Sequence, residues 1–208
     1  MDRKDFLRTS ALAAFAISTF GQVSARESVE SKLPNSSHRG DCDTTDDILG
    51  PFYRPNAPVR SDMIFEGLNG SKVNLKGKVY TDDCTTALEN AKVEIWHCDT
   101  EGSYDNKSDD FLHRAQQSSD LDGNYGFQTI LPGKYLNGKL YRPAHIHFRV
   151  THPEHKELIS QIYFSGDPHI DKDPWASQKK AEARILPIIL EDTNGNLAVT
   201  FDIYLAKG

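Results

Sequence analysis

Two histidines one residue apart, His145-Ile-His147, sit inside the run His145-Ile-His-Phe-Arg-Val150. The run alternates in a β manner. On a strand, side chains two positions apart point to the same face, so the two imidazoles lie one pleat repeat apart and can share one metal ion. Taken alone, such a pair is more often solvated or hydrogen-bonded than metal-bound. Its neighbours shift the balance. Just upstream stand Tyr135, Tyr141 and Arg142, and Pro143 restricts Arg142 to extended backbone, so the arginine leads directly into the histidine strand.

The elements that must position these groups are strands. Val73–Thr81 and Ala91–His97 alternate apolar and polar residues, as half-buried strands do. Tyr125–Ile130, the histidine run, Glu157–Phe164, Ile185–Glu191 and Leu197–Leu205 continue the pattern between turn signals such as Asp122-Gly-Asn and Asp192-Thr-Asn-Gly-Asn. A short helix is expected at Trp175–Ala183, and residues 105–122 show no clear period. The expected fold is all-β: an antiparallel β-sandwich with long functional loops and little helix. The segment Ile48-Leu-Gly-Pro-Phe-Tyr-Arg-Pro-Asn-Ala-Pro58 is too proline-rich for a helix or a central strand. It either covers a sheet edge or walls a pocket, with Pro51, Phe52 and Tyr53 as the lining.

The 208 residues suffice for one domain with a full core. A net charge of −6 argues against a nucleic-acid or anionic-membrane partner. The N-terminus reads as an export signal over residues 1–25: a charged start, a short apolar stretch from Ser10 to Phe20, and the small-residue site Val23-Ser24-Ala25. That stretch is too short to span a bilayer. Arg3-Lys4-Asp-Phe-Leu resembles the twin-arginine consensus with lysine in the second place. The expectation is a periplasmic or extracellular protein, with a polar linker over 26–44 and a single domain from 45 to 208. Export would allow disulfides among Cys42, Cys84 and Cys98, and an odd count leaves one unpaired in the monomer. A simple hairpin between 74–81 and 92–98 would disfavour a bridge between Cys84 and Cys98.

Four blocks in order, Gly50-Pro-Phe-Tyr53, Ala91-Lys-Val-Glu-Ile-Trp96 with Gly102-Ser-Tyr104, Thr129-Ile-Leu-Pro-Gly-Lys-Tyr135 and Arg142-Pro-Ala-His-Ile-His147, resemble the intradiol ring-cleavage dioxygenases over roughly residues 45–205. The resemblance implies an Fe(III) enzyme on a β-sandwich, with Tyr104, Tyr135, His145 and His147 as ligands. It makes Tyr141 the aromatic before the Arg-Pro rather than a ligand. It also implies that a catechol binds as a dianion, that the displaced Tyr135 accepts a proton, and that O2 opens the ring to a cis,cis-muconate-type diacid. Arg142 would stabilise developing negative charge on the ring, with Gln161 beside it, and Pro51 and Tyr53 would contact substrate. A hydrogen-bonded core amide is the plain alternative for Gln161. Competing readings are an inactive secreted β-sandwich binding module and a zinc hydrolase built on His145 and His147. Which catechol is used stays open, as does assembly into a homo-oligomer.

Overall fold

The structure, a computed structural model, describes residues 42–208; the expected leader and most of the polar linker lie outside the described residues. Twelve strands follow in chain order: β1 (Lys72–Thr81), β2 (Lys92–Trp96), β3 (Arg114–Ser118), β4 (Asn124–Ile130), β5 (Tyr135–Asn137), β6 (Leu140–Arg142), β7 (His145–His152), β8 (His155–Phe164), β9 (Ile185–Leu186), β10 (Ile189–Leu190), β11 (Leu197–Thr200) and β12 (Ile203–Leu205). β1 anchors one five-stranded sheet. It pairs with β4 along one edge and with β11 and then β12 along the other, while β10 pairs with β11. The second sheet runs β3-β2-β7-β8-β9, and β5 and β6 form a separate hairpin.

The two large sheets enclose one core. Val73, Leu75, Tyr125, Phe127 and Val199 come from the first sheet; Val93, Ile95, Ile146, Phe148, Val150 and Ile162 come from the second. Phe148 packs edge-on against Tyr125 and Phe201 across the gap. The chain is therefore an all-β sandwich, as the alternation predicts. Among the described residues, no helix is long and apolar enough to cross a membrane.

Several details differ from expectation. The sheets are mixed rather than purely antiparallel: β1 runs parallel to β11 and β12, and β8 parallel to β9. β1 and β2 belong to different sheets, so the simple hairpin does not form. The bridge links Cys42 to Cys84, and Cys98 is free and buried. β3 hides in the stretch that showed no period, because Arg114-Ala-Gln-Gln-Ser has a single apolar residue; pairing to β2, with Ile95 opposite Ala115, makes it a strand. Ile185–Glu191 is not one strand: Pro187, which has no N–H to donate, separates β9 in one sheet from β10 in the other. The expected helix near Trp175 is two short 3-10 turns, Ile170–Lys172 and Lys179–Arg184. The last residues of the polar segment are tied down: Thr44 N–H donates to Tyr204 O, and Tyr204 N–H donates to Thr44 Oγ1.

Candidate metal centre

Alternation along β7 assigns its residues to opposite faces. Ile146, Phe148 and Val150 enter the core, so His145 and His147 stand on the outer face of their sheet. Register brings neighbours onto the same face: His147 lies opposite Trp96 of β2 and Gln161 of β8, and His145 opposite Tyr163. An outer face would ordinarily meet water, yet both histidines are buried. Three loops cover them.

The first cover is the proline-rich segment. Gly50 has φ +73, and a Cβ there would lie 3.1 Å from His147 Cε1, so glycine allows the chain to cross directly over the imidazole. Gln161 Nε2 donates to Ile48 O at 2.9 Å, pinning this segment to β8. Phe52 stacks on Tyr104 with centroids 4.2 Å apart and meets Tyr135 edge-on at 5.9 Å. Beneath, Trp96 stacks on His147 at 4.8 Å.

The other covers carry the tyrosines. Asp99 Oδ1 accepts from Glu101 and Ser103 N–H, which shapes the turn before Tyr104. Gly102 has φ +86 and so little room that a Cβ would lie 2.5 Å from Lys134 O. Gly133 N–H donates to Asp99 O at 2.8 Å. The loops before Tyr104 and Tyr135 are thus in direct contact, and the two rings lie 5.7 Å apart. Tyr104 Oη is 3.4 Å from His145 Nε2. Tyr135 is 5.6 Å from the His145 ring and His145 is 5.0 Å from the His147 ring, centroid to centroid. Four side chains from separated positions share one neighbourhood. Tyr141 does not join them; it is 45% exposed, with Lys134 over its face and His169 alongside.

Electrostatics prepares this cluster for a cation. His145 Nδ1 lies 2.6 Å from Pro143 O, so Nδ1 carries the proton and Nε2 presents its lone pair toward Tyr104. Burial, reinforced by the Arg142 charge, holds the His145 pKa down to about 3. Burial and neighbouring His145 hold His147 well below its ordinary value, so both rings are neutral at ordinary pH. Burial raises the Tyr104 phenol well above its usual range; it also raises Tyr135, against which Arg142 pulls downward. His147 Nδ1 meets no hydrogen-bond partner among the described residues. Two neutral imidazoles and two phenols that a cation would ionise fit a ferric ion, since two phenolates offset most of its charge. Among the described residues no group of three or more His, Cys, Asp or Glu side chains could hold a metal ion.

Arg142 is buried beside this cluster. Its Nε donates to Asp173 Oδ2 at 2.8 Å, its Nη2 donates to Gln161 Oε1 at 3.1 Å and Tyr163 Oη at 3.3 Å, and its guanidinium lies 4.3 Å from the Trp175 ring centre. Tyr163 in turn donates to Asp47 Oδ2, which pairs with Arg184 Nη1 at 2.8 Å. Pro51 is exposed. Tyr53 turns away to Trp96, accepts from Arg149 Nη1 at 2.8 Å and donates to Glu94 at 3.4 Å, so Phe52 is the aromatic of that segment that reaches the tyrosines.

Phe52 is one of the three residues expected to line a pocket, whereas neither residue type nor spacing points to Asp47, Asp173, Tyr163, Trp175 or Arg184 as parts of the site. Asp173-Pro174 reads only as a turn. Asp105 organises its loop by accepting from Ser108 Oγ and the N–H groups of Lys107, Ser108 and Leu112. His97 is satisfied at both nitrogens, by Cys98 O and Thr129 Oγ1, each at 2.7 Å.

A family model described as Dioxygenase matches residues 48–207. The chain is 31% identical over 169 residues to a catechol 1,2-dioxygenase of Candida albicans, covering 71% of this chain and 55% of that protein. It is 30% identical over 176 residues to a chlorocatechol 1,2-dioxygenase of Rhodococcus opacus, covering 73% and 67% respectively. The chain thus spans about half to two thirds of these relatives' lengths. The solved dioxygenase domain of a dioxygenase carbohydrate-binding protein fusion from Streptomyces sp. SirexAA-E superposes with a TM-score of 0.69 at 27% identity, covering 80% of this chain and 99% of that one. With the family model spanning most of the described residues, and with the fold it shares, the chain belongs to the intradiol ring-cleavage dioxygenase family.

Proposed function

We propose that this protein is a ferric dioxygenase that opens a catechol between its two hydroxyl-bearing carbons, consuming O2 and releasing a cis,cis-muconate-type diacid that keeps both oxygen atoms. The observation that carries the reading is the convergence of Tyr104, Tyr135, His145 and His147 beneath three loops, with a buried guanidinium beside them. Names of relatives support the substrate class, since these include catechol, chlorocatechol and hydroxyquinol 1,2-dioxygenases.

Tyr104, Tyr135, His145 and His147 would hold the iron. When bound, Fe(III) supplies a Lewis-acidic centre that favours the catecholate and withdraws electron density from its ring. The chain's own residues do the rest. Tyr135 lies near Arg142, whose charge pulls its phenol downward, so it is the one suited to taking a proton from a catechol hydroxyl at its phenolic oxygen. Arg142 is fixed before substrate arrives, which lets it stabilise negative charge developing on the ring without reorganising. Phe52 and Trp96 hold the Tyr104 and His147 rings in place by stacking. The Cys42–Cys84 disulfide supports the reading of an exported enzyme, since such bridges persist in oxidising compartments.

The test is O2 uptake by the iron-loaded protein across plain, chlorinated, hydroxylated and carboxylated catechols. The expected outcome is uptake matched by diacid formation, in a protein coloured by a tyrosinate-to-iron band that Tyr135→Phe shifts. A colourless protein that binds catechol without O2 uptake would make this a binding module. Tight zinc with hydrolytic activity and no uptake would make it a hydrolase.

A further inference from the structure

Arg142 cannot hold itself. It ends the short strand β6, whose partner β5 is only three residues long, and its side chain reaches away from that hairpin toward β8 and the loop that follows it. A buried guanidinium has several rotatable bonds and a high cost of desolvation, so its orientation depends on what its N–H groups find. The shortest of the bonds they make goes to Asp173. We propose that Asp173 is a positioning residue for the dioxygenase reaction: through Oδ2 it holds Arg142 Nε, and so fixes which edge of the guanidinium is turned to the substrate.

The two oxygens of Asp173 divide the work. Oδ1 accepts the backbone N–H groups of Trp175 at 3.0 Å and Ala176 at 2.8 Å, closing an Asx turn. Oδ2 accepts Arg142 Nε at 2.8 Å, with Oδ1 3.4 Å from Nη2. The turn itself is tied from both sides, because Asp173 N–H donates to Ile170 O, and Asp173 O accepts from Ser177 Oγ at 2.7 Å. The same turn delivers Trp175 to the face of the guanidinium. One carboxylate therefore sets both the in-plane grip and the aromatic plane against which Arg142 lies. Gln161 and Tyr163 occupy Nη2, and on the other side the guanidinium acts on the Tyr135 phenol, which its charge pulls down.

This division allows a substitution that separates cap from clamp. Asp173→Asn keeps an oxygen for the two converging backbone N–H groups but turns an NH2 toward Arg142 Nε, placing donor against donor. The kinetic part of the test rests on the catechol-cleaving reading above; the spectroscopic part does not. In metal-free 15N-labelled protein, the Arg Nε–H resonance that Arg142→Lys removes should exchange slowly in the wild type and be lost to fast exchange in Asp173→Asn. In the iron-loaded protein, kcat with catechol should fall ~100-fold, the scale for losing one preorganised donor, while KM moves less than about threefold, the pattern for an interaction made in the transition state. Asp192→Ala, which loosens a turn in the other sheet, serves as the stability control: it should lower Tm and leave kcat unchanged. Should Asp173→Asn not fold, Trp175→Leu carries the test, with faster Nε–H exchange and lower kcat expected. A slow Nε–H signal that survives in Asp173→Asn, or a kcat that stays within about threefold of wild type, overturns the proposal. Loss of the signal in a protein whose wild type turns over no catechol upholds the clamp and removes the dioxygenase reading instead.

Discussion

The two faces of β7 have different surroundings, although their residues are neighbours. Ile146, Phe148 and Val150 face the other sheet and are buried among apolar side chains. His145 and His147 face outward and are equally buried, but under loops and among phenols, an indole and a guanidinium. Burial is the same on both sides; what differs is what does the burying. The inner face is closed by a second sheet whose alternation matches its own. The outer face is closed by residues 47–53, 99–104 and 132–135, whose shapes depend on Gly50, Gly102 and an Asx turn at Asp99. A sandwich core can be built from pattern alone, whereas a site needs loops that fit.

Substitutions of adjacent residues should therefore have opposite signatures. His147→Ala should abolish stoichiometric iron binding and O2 uptake while leaving the fold intact, read by metal analysis alongside circular dichroism. A variant that still binds one iron with the visible band unchanged would remove His147 from the ligand set. Phe148→Ala, one residue on, should cost ~3–5 kcal/mol of stability, as large aromatic-to-alanine changes in cores do. Urea unfolding measures that loss, and the folded fraction should still bind iron.

Acid should sharpen a second contrast, between a buried histidine that the fold satisfies and those it leaves for a ligand. Burial, with a push from His113, holds the His97 pKa down to about 3. Its unfolded value is about 6.5, so between these limits the unfolded chain binds more protons. Stability of the metal-free protein should accordingly be full above about 6.5 and fall as pH drops toward 3. Urea midpoints across that window should fall less steeply in His97→Gln. Equal slopes would assign the acid sensitivity to other groups. The smallest expected effect is at Tyr53→Phe, which removes a hydroxyl bonded to Arg149 and Glu94 and should cost ~1 kcal/mol. Iron-loaded Tyr53→Phe should keep its KM for catechol; a several-fold rise would return Tyr53 to the substrate contacts.

Much of this was legible before any coordinates. The period-two pattern marks β1, β2, β4, β7 and β8 and separates the faces of β7, because side-chain alternation is a property of the strand itself. β3 was not legible, since Arg114 and its two glutamines become strand residues only through pairing with β2. The parallel partners of β1 were hidden for a related reason: alternation tells which way a side chain points and says nothing of which strand lies alongside. At the site, His145, His147, Tyr104, Tyr135 and Arg142 stand in short motifs. Asp173 does not, and it lies 31 residues beyond the arginine it holds.

By itself, the amino-acid sequence determined a pair of histidines able to bind one metal ion, the strand face on which they stand, and the family that the four motif blocks resemble. Tertiary structure alone decided that Phe52 rather than Tyr53 packs against the tyrosines, and that Asp173 grips Arg142. The reason is one of range. Dihedral preferences and side-chain periodicity act between near neighbours along the chain, whereas the closure of a site is set by contacts between segments that only the packed fold brings together.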